Sequence, residues 1–177
     1  VSALSVDDRL TIANMAVECG AKNAFFPVDE AAAEYLRSRG AEYDAGDVVI
    51  PDADAEYGRT IELDLSSVMP AVAFPHLPSN VKFFGKDVPE GLKIDQVVIG
   101  SCTNGRLSDM RAAASVMRGR KVADGVRCIV IPATMEVYKK CIDEGLTSVF
   151  IDSGAAVSTP TCGPCLGGYM GILAHGE

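Results

Sequence analysis

The fold is decided by the stretch Gln96-Val-Val-Ile-Gly100-Ser-Cys-Thr-Asn-Gly-Arg106, in which a short apolar run gives way to small and polar residues. An apolar run of this length that ends at glycine is typical of a buried strand, and the residues after it are typical of a loop. The periodicity of residues 107–117 then predicts a helix. Cys102 therefore lies in the loop of a strand–loop–helix unit.

The same alternation continues along the chain. We predict a second strand over residues 127–132, a helix over 135–144 that Gly145 ends, and a third strand over 148–152. Strands and helices that alternate at these lengths favour right-handed crossovers and a parallel sheet. The sequence therefore predicts an α/β fold with three layers, α/β/α, around a largely parallel sheet.

The first half of the chain has a different rhythm. Ser5 and Asp8 give a capping signal, and Gly20 a stop signal, for a helix over residues 6–19. Further predicted elements are a strand, a helix, a loop and a half-buried strand, over residues 24–27, 29–39, 43–57 and 60–65 respectively. Residues 66–92 are rich in proline and have little periodicity. We therefore expect two lobes, 1–92 and 93–177.

The composition of this 177-residue chain, 48% hydrophobic and 23% charged, is that of an ordinary globular protein. Its net charge of −8 disfavours a nucleic-acid partner, because a surface that binds nucleic acid is basic. The sequence has no apolar run of about 18 residues or more and no secretory signal, so we expect no membrane partner. Six cysteines in a chain with ample aliphatic content need not be disulfides, and we expect a reducing, cytoplasmic environment.

Three cysteines stand out because each lies in a loop of small residues. Cys102 follows the first predicted strand, while Cys162 and Cys165 lie in Pro160-Thr-Cys-Gly-Pro-Cys165, after the third. The carboxyl ends of parallel strands meet at one edge of a sheet, so we expect the three thiols to lie there together. Three thiolates suit a metal or iron–sulfur site with one coordination position left open.

Other interpretations of these cysteines stay open. Cys-Gly-Pro-Cys is also the redox motif of thioredoxin-like proteins, where the first thiol has a lowered pKa at the start of a helix. That interpretation leaves Cys102 without a role. A zinc site would need a fourth ligand, for which Cys128 and His175 are the candidates. Two further alternatives are a non-catalytic module that binds an iron–sulfur cluster or zinc, and a set of thiols that binds nothing.

Three stretches resemble segments of the aconitase family and occur in the family's order, over residues 4–22, 98–106 and 159–168. The last two are similar to the family's cluster-binding signatures. The first is similar to a segment found upstream of them in the large subunits of the two-subunit members. The resemblance implies an aconitase-like fold and a [4Fe–4S] cluster held by Cys102, Cys162 and Cys165.

The resemblance also implies an activity. The fourth iron of such a cluster acts as a Lewis acid on the hydroxyl of a small hydroxy acid, so the implied enzyme is a hydro-lyase. The implied reaction is the interconversion of 2-isopropylmalate and 3-isopropylmalate in leucine biosynthesis, with homocitrate or a citrate-like acid as the alternative substrate. The implied partner is a small subunit that carries a swivelling domain with a serine base.

Asn14 and Glu18 are a second candidate pair. They are four residues apart on the first predicted helix and would therefore share one face. A pair of this kind is commonly no more than a polar surface pair. The resemblance instead implies that the amide and carboxylate border the cluster and the substrate oxygen bound to it.

The residues around Cys102 are further candidates. Ser101, Thr103 and Asn104 could donate hydrogen bonds to the cluster sulfurs, and Arg106 could pair with a substrate carboxylate or face water. The family's Asp-Ser-His-Thr element, its later substrate-binding Asn-Arg element and its serine-bearing domain do not occur in this sequence. We therefore expect an incomplete large subunit that is inactive alone.

Overall fold

The computed structural model of the protein describes residues 1–44, 46 and 48–177. The chain divides into two compact units, Val1–Leu92 and Lys93–Glu177, which we call the first and second unit. The loop predicted over residues 43–57 includes positions 45 and 47, which lie outside the described residues. No helix within the described part of the chain combines the length and apolar character needed to cross a membrane.

The first unit contains two α-helices, α1 (Val6–Met15) and α2 (Glu30–Ser38), among the described residues. It also contains 3₁₀ helices at Ala16–Cys19 and Leu65–Ser67, and an antiparallel pair of strands, β1 (Ala71–Ala73) and β2 (Val81–Phe83). The predicted capping box is confirmed, since Ser5 Oγ accepts the Asp8 N–H at 3.1 Å and Asp8 accepts the Ser5 N–H at 3.1 Å.

Two strands predicted in this unit are wrong. Residues 24–27 are irregular, and residues 60–65 are irregular until the 3₁₀ helix begins at Leu65. The alternation of residues 60–65 buries little, because Ile61 and Leu63 stay 63% and 75% exposed. A strand without a hydrogen-bonded neighbour leaves its backbone groups to water, so local pattern alone does not stabilise it.

A partly buried ion pair joins the two helices of the first unit. Arg9, which is 3% exposed, donates from Nη1 and Nη2 to the two carboxylate oxygens of Asp29, at 2.8 Å each. Asp29 also caps α2 by accepting the N–H of Ala32 at 3.1 Å. The Arg9 guanidinium is the main cause that lowers the pKa of Asp29 to about 2. One carboxylate thus fixes the start of α2 and its position beside α1.

The second unit alternates strands and helices. In chain order these are β3 (Gln96–Gly100), α3 (Ser101–Asn104), α4 (Leu107–Met117), β4 (Arg127–Ile131), α5 (Met135–Asp143), α6 (Leu146–Asp152), β5 (Ala156–Val157) and a 3₁₀ helix at Gly163–Leu166. The strands form a parallel sheet in the order β3-β4-β5. The predicted α/β class and parallel sheet are therefore confirmed.

The strand predicted over residues 148–152 is wrong, because these residues belong to helix α6 and the strand follows at Ala156–Val157. Gly145, with a φ of 73°, separates α5 from α6. Val149 and Phe150 are buried in the helix-side core. Burial of that face outweighs the strand propensity of valine, phenylalanine and isoleucine.

The two faces of the sheet have different coverings. Val97 and Cys128 face the helices, and their side of the sheet forms a core with the fully buried Met110 and Phe150. The next position in register, Ile129, faces the opposite side, where the segment of residues 163–173 lies. The cysteine-bearing segment therefore runs along the face of the sheet that the α-helices leave free.

Candidate metal centre

The Cys102 loop is a close-packed turn at the carboxyl ends of β3 and β4. Gly100 and Ser101 have φ values of 109° and 74°, and a Cβ on Gly100 would collide with the carbonyl oxygen of Ile131. A Cβ on Gly105 would lie 2.5 Å from the same oxygen. Only glycine fits at both ends of this turn. The turn leaves the Cys102 side chain exposed at the sheet edge.

The second cysteine loop is also tight. Cys162 immediately precedes the 3₁₀ helix Gly163–Leu166, and the Cys165 N–H donates to the Cys162 carbonyl at 2.9 Å. Thr161 Oγ1 accepts the Gly163 N–H at 3.1 Å. A Cβ on Gly163 would lie 2.8 Å from the Cβ of Tyr169. The loop is therefore a compact turn that leaves both of its thiols exposed.

The structure brings the two cysteine loops together. Ser101 Oγ lies 3.1 Å from Cys165 Sγ, and Thr103 Oγ1 lies 3.8 Å from Cys102 Sγ. Cys102 and Cys162 are close enough for each thiol to influence the pKa of the other. Three thiols and two hydroxyls from distant parts of the sequence thus meet at one edge of the sheet.

The thiols influence one another's protonation. The Thr103 hydroxyl is the largest cause that lowers the pKa of Cys102, and Ser101 and Cys162 act in the same direction. The negative charge of Cys102 is the largest cause that raises the pKa of Cys162. Neighbouring thiolates repel each other, and a bound cationic centre would relieve that repulsion while displacing their protons. The donor set therefore fits a metal-containing group.

The geometry does not suit a single metal ion. Among the described residues, no three His, Cys, Asp or Glu side chains converge on a point where one ion could bind. In an iron–sulfur cluster each thiolate binds a separate iron, so the thiols need to surround the group and not to converge. That Cys102, Cys162 and Cys165 bind such a cluster stays a prediction.

The structure brings neither candidate fourth zinc ligand to these thiols. Cys128 is buried in the helix-side core, and burial raises the pKa of its thiol. His175 lies in a turn that Glu177 ties to Arg127, the first residue of β4 and thus at the opposite end of the strand from Cys102. A zinc site completed by either residue is therefore not supported.

The thioredoxin-like interpretation is not supported either. A redox-active thiol of that kind needs a lowered pKa, commonly provided by the start of a full helix. Cys162 instead precedes a four-residue 3₁₀ helix. The charge of Cys102 raises the pKa of the Cys162 thiol. The local electrostatics of Cys162 thus oppose the chemistry that the motif would otherwise suggest.

Arg106 and Asn104 complete the surroundings of Cys102. Arg106 Nε donates to the Thr103 carbonyl at 3.2 Å, and its backbone N–H donates to Asp109 at 3.0 Å, so Arg106 links the loop to the start of α4. Asn104 is the exposed last residue of α3. The prediction that these residues contact a cluster or a substrate stays a prediction.

Asn14 and Glu18 belong to the first unit and are both exposed. The helix predicted over residues 6–19 is an α-helix only as far as Met15 and a 3₁₀ helix over Ala16–Cys19. Residues three apart eclipse one another in a 3₁₀ helix, so the alignment expected four residues apart in a regular α-helix is changed here. The functional role of the pair stays a prediction.

Sequence reasoning does not single out Gly105 or Thr161, although both shape the site. The signal for Gly105 is that Ser101-Cys-Thr-Asn104 has glycine on either side. The signal for Thr161 is a hydroxyl two residues before Gly163, the spacing of a side-chain-to-backbone turn. Each signal is too common in loops to identify a site by itself.

Comparison with known proteins identifies the class. The whole chain, residues 1–177, matches the aconitase family (aconitate hydratase), and the chain belongs to that family. Within it, the chain is similar to proteins named 3-isopropylmalate dehydratase large subunit. Identity over 177 residues is 59% for that of Acetivibrio thermocellus, 58% for Clostridium kluyveri and 55% for Caldicellulosiruptor saccharolyticus.

Each of these alignments takes in 100% of this chain but 41% of the relative, so the chain spans less than half the length of the curated relatives it matches. The predicted membership of the aconitase family is therefore confirmed. The predicted similarity to the large subunits of its two-subunit members, over only part of their length, is confirmed as well.

Proposed function

We propose that the second unit binds a [4Fe–4S] cluster through Cys102, Cys162 and Cys165, as part of a hydro-lyase that interconverts 2-isopropylmalate and 3-isopropylmalate. The observation that carries the proposal is the 3.1 Å contact between Ser101 Oγ and Cys165 Sγ, which joins the two cysteine loops. The names of the relatives support the reaction. In this proposal the first and second units are two aconitase-like lobes.

The cluster, when bound, would supply an electron-poor iron that polarises the hydroxyl of the substrate. The three thiolates would hold it and leave one iron without a protein ligand. The hydroxyls of Ser101 and Thr103 lie beside ligating sulfurs and could donate hydrogen bonds that reduce the charge on them. The Asn104 amide would do the same, and Arg106 would hold a substrate carboxylate.

Asn14 and Glu18 have a separate part in the proposal. Glu18 would accept a hydrogen bond from the substrate hydroxyl, and the Asn14 amide would donate one to the same oxygen. Both side chains are exposed in the first unit and therefore available to a ligand. Their substitution is expected to affect turnover by the full-length enzyme and to leave iron content unchanged.

Proton removal from the neighbouring carbon needs a base that we do not assign to this chain. We propose that a small subunit supplies it from a serine on a swivelling domain. The relatives' designation as large subunits supports a second subunit. The enzyme would then act in leucine biosynthesis. The alternative substrate is homocitrate, which the same chemistry would dehydrate.

The cluster proposal is tested by anaerobic reconstitution of the chain with iron, sulfide and reductant. We expect about four irons per chain and a cluster signal in visible absorption and electron paramagnetic resonance. Single replacement of Cys102, Cys162 or Cys165 by serine should abolish retention. Cys19→Ser is the matched control, since Cys19 is also an exposed thiol but lies in the first unit. Equal iron in the control and all three site variants would contradict the proposal.

The reaction is tested with the full-length large subunit and its small subunit. Isopropylmalate and homocitrate are assayed side by side. The absorbance of the unsaturated acid that dehydration forms is the quantity measured. Turnover of isopropylmalate alone supports the proposed substrate, whereas turnover of homocitrate alone replaces it with the alternative.

A further inference from the structure

A polar network lies near the amino ends of β3 and β4, at residues that the proposed function does not use. Gln96 Nε2 donates to the Gly171 carbonyl at 2.8 Å, and Gln96 Oε1 accepts from Arg127 Nε at 3.2 Å and Nη2 at 3.1 Å. Arg127 also donates from Nη1 and Nη2 to the Glu177 carboxylate, at 2.8 and 2.6 Å. We call Gln96 and Arg127 the clamp, and residues 171–177 the return segment.

The return segment is held at both of its ends. Gly171 is bound by Gln96, and Glu177 is bound by Arg127. Glu177 also accepts the N–H of Ala174 at 2.7 Å. The Arg127 guanidinium is the main cause that lowers the pKa of Glu177 to about 2, so this carboxylate stays charged at any ordinary pH. The clamp therefore fixes the segment by charge-assisted and neutral hydrogen bonds together.

Gly171 connects the clamp to the cysteine turn. Its φ is 92°, and a Cβ there would lie 3.0 Å from Cγ of Pro164, 3.2 Å from Nε2 of Gln96 and 3.3 Å from Cδ1 of Ile129. Pro164 is the residue directly before Cys165 in the Cys-Gly-Pro-Cys turn. The Gly171 backbone is thus enclosed by the clamp, the sheet face and the proline between the two thiols.

A cavity lies beside the cysteine turn on this face of the sheet. The cavity has a volume of about 430 Å³ and is lined by Val98, Pro164, Cys165 and Gly171, among other residues. Space, and not a packed core, therefore lies beside the turn. Around this cavity the turn is close to Tyr169 at Gly163, to the Gly171 backbone at Pro164 and to Ser101 at Cys165.

We infer that Gln96 and Arg127 are positioning residues that hold the Cys162–Cys165 turn in register with Cys102, by keeping the Gly171 backbone beside Pro164. The inference rests on the proposed cluster-binding role of these thiols. Loss of the clamp would release the return segment, and Pro164 would lose its neighbour. The two thiols of the turn would then move relative to Cys102 without any change to a ligand.

The same unit offers a matched control for the clamp. Arg111 donates from Nε and Nη2 to Glu144, at 2.8 and 2.6 Å, which is the same two-point geometry as Arg127 with Glu177. The two arginine side chains are similarly exposed, at 57% and 46%. Arg111 joins α4 to the residue after α5, away from the cysteine turn. Arg111→Leu therefore removes an equivalent ion pair without touching the return segment.

The first test measures iron release from the reconstituted chain to a ferrous chelator under anaerobic conditions. Gln96→Ala removes three hydrogen bonds of the network and Arg127→Leu removes four. Because most of these bonds are exposed, we expect a net effect equal to that of about one hydrogen bond, which is iron release about five- to tenfold faster than from the unmodified chain. Arg111→Leu should release iron at the unmodified rate. Gln96→Glu keeps an acceptor for Arg127 but loses the donor to Gly171, so it should behave like Gln96→Ala.

The second test uses the chain without iron and follows alkylation of individual cysteines by mass spectrometry. Clamp variants should change the alkylation rates of Cys162 and Cys165 severalfold, while Cys19 in the first unit keeps its rate. Far-UV circular dichroism checks that each variant folds. If Arg127→Leu does not fold, Gln96→Glu still tests the inference, because it retains a polar side chain and loses the donor to Gly171.

The inference is overturned if the clamp variants and Arg111→Leu show the same rate of iron release and the same rates of cysteine alkylation. If the unmodified chain binds no iron, the proposed function fails, but the alkylation rates still decide whether the clamp positions the turn. If the chain binds iron and the clamp variants retain it normally, the inference alone fails.

Discussion

Replacement of Gly105 by alanine tests whether close packing of the Cys102 turn is what holds that thiol at the sheet edge. The φ of Gly105 is −102°, which any residue adopts, so backbone strain does not enter. An added Cβ would, however, meet the Ser101 carbonyl oxygen, the Ile131 carbonyl oxygen at 2.5 Å and the Ala133 nitrogen at 2.7 Å. Alanine would therefore enter a space bounded by backbone on three sides.

The size of the effect follows from these contacts. Ordinary van der Waals contact begins near 3.4 Å, so backbone atoms on at least two sides must move by well over half an ångström. Overpacking of this kind costs about 1–3 kcal/mol. The Ala133 N–H donates to the Gly105 carbonyl at 2.8 Å, and weakening that bond adds about 1 kcal/mol. The smaller conformational freedom of the unfolded alanine chain offsets about 0.5 kcal/mol. We expect a net loss of about 1.5–3.5 kcal/mol.

Urea unfolding followed by far-UV circular dichroism measures this change in the free energy of unfolding. Gly58→Ala is the matched control, since Gly58 has no positive φ and a Cβ there would meet nothing within 4 Å. The control should leave stability unchanged or raise it by about 0.5 kcal/mol. The Gly105 variant should also retain less iron after reconstitution, because Ser101 and Cys102 must move. Equal stability of the two variants would refute the packing argument.

Three further outcomes are expected. Phe150 is 0% exposed, so Phe150→Ala should lower the free energy of unfolding by about 3–5 kcal/mol. The neighbouring Ile151 is 59% exposed, so Ile151→Ala should lower it by less than about 1 kcal/mol in the same urea assay. The pKa of Asp29 is lowered to about 2, so its stabilising contribution is present above the unfolded pKa of about 3.9 and lost as the pH falls through 2. Urea midpoints between pH 5 and 2 should therefore fall more steeply for the unmodified chain than for Asp29→Asn, and parallel slopes would contradict this. Chelation of iron from the reconstituted chain should expose the three site thiols to alkylation and leave Cys19 at its previous rate; unchanged labelling of the site thiols would count against their ligand role.

The elements that could be predicted from the sequence are those specified locally. The run Gln96–Gly100 becomes β3, and the capping box at Ser5 starts α1. Residues 148–152 were not predictable in this way, because their strand propensity is outweighed by burial of Val149 and Phe150 against α4. Register with a neighbouring strand, which no local pattern encodes, decides that β5 begins at Ala156.

The candidate site also has some features that the sequence predicts and others that it does not. The meeting of Cys102 with the later cysteines follows from parallel topology, since both loops come after strands of one sheet. The contacts that fix the thiols do not follow from topology. The positive φ of Ser101 and the bond from Gln96 to Gly171 depend on distances between residues far apart in sequence. A glutamine at the start of a strand gives no sequence signal of such a bond.

Gly105 affects both stability and retention of a cluster, but the apolar core and the clamp should each affect mainly one of the two properties. The apolar core around Met110 and Phe150 lies on the helix side of the sheet and approaches the Cys102 turn at Gly100, where a Cβ would lie 3.2 Å from Met110 Cε. The turns lie at the edge and on the opposite face, where glycine packing, hydroxyl contacts and the clamp hold them. A core substitution such as Phe150→Ala should lower the free energy of unfolding while the folded fraction still retains iron. A clamp substitution should lower iron retention and leave the free energy of unfolding nearly unchanged. It changes the relative positions of the sulfur atoms but leaves intact the apolar surface that folding buries.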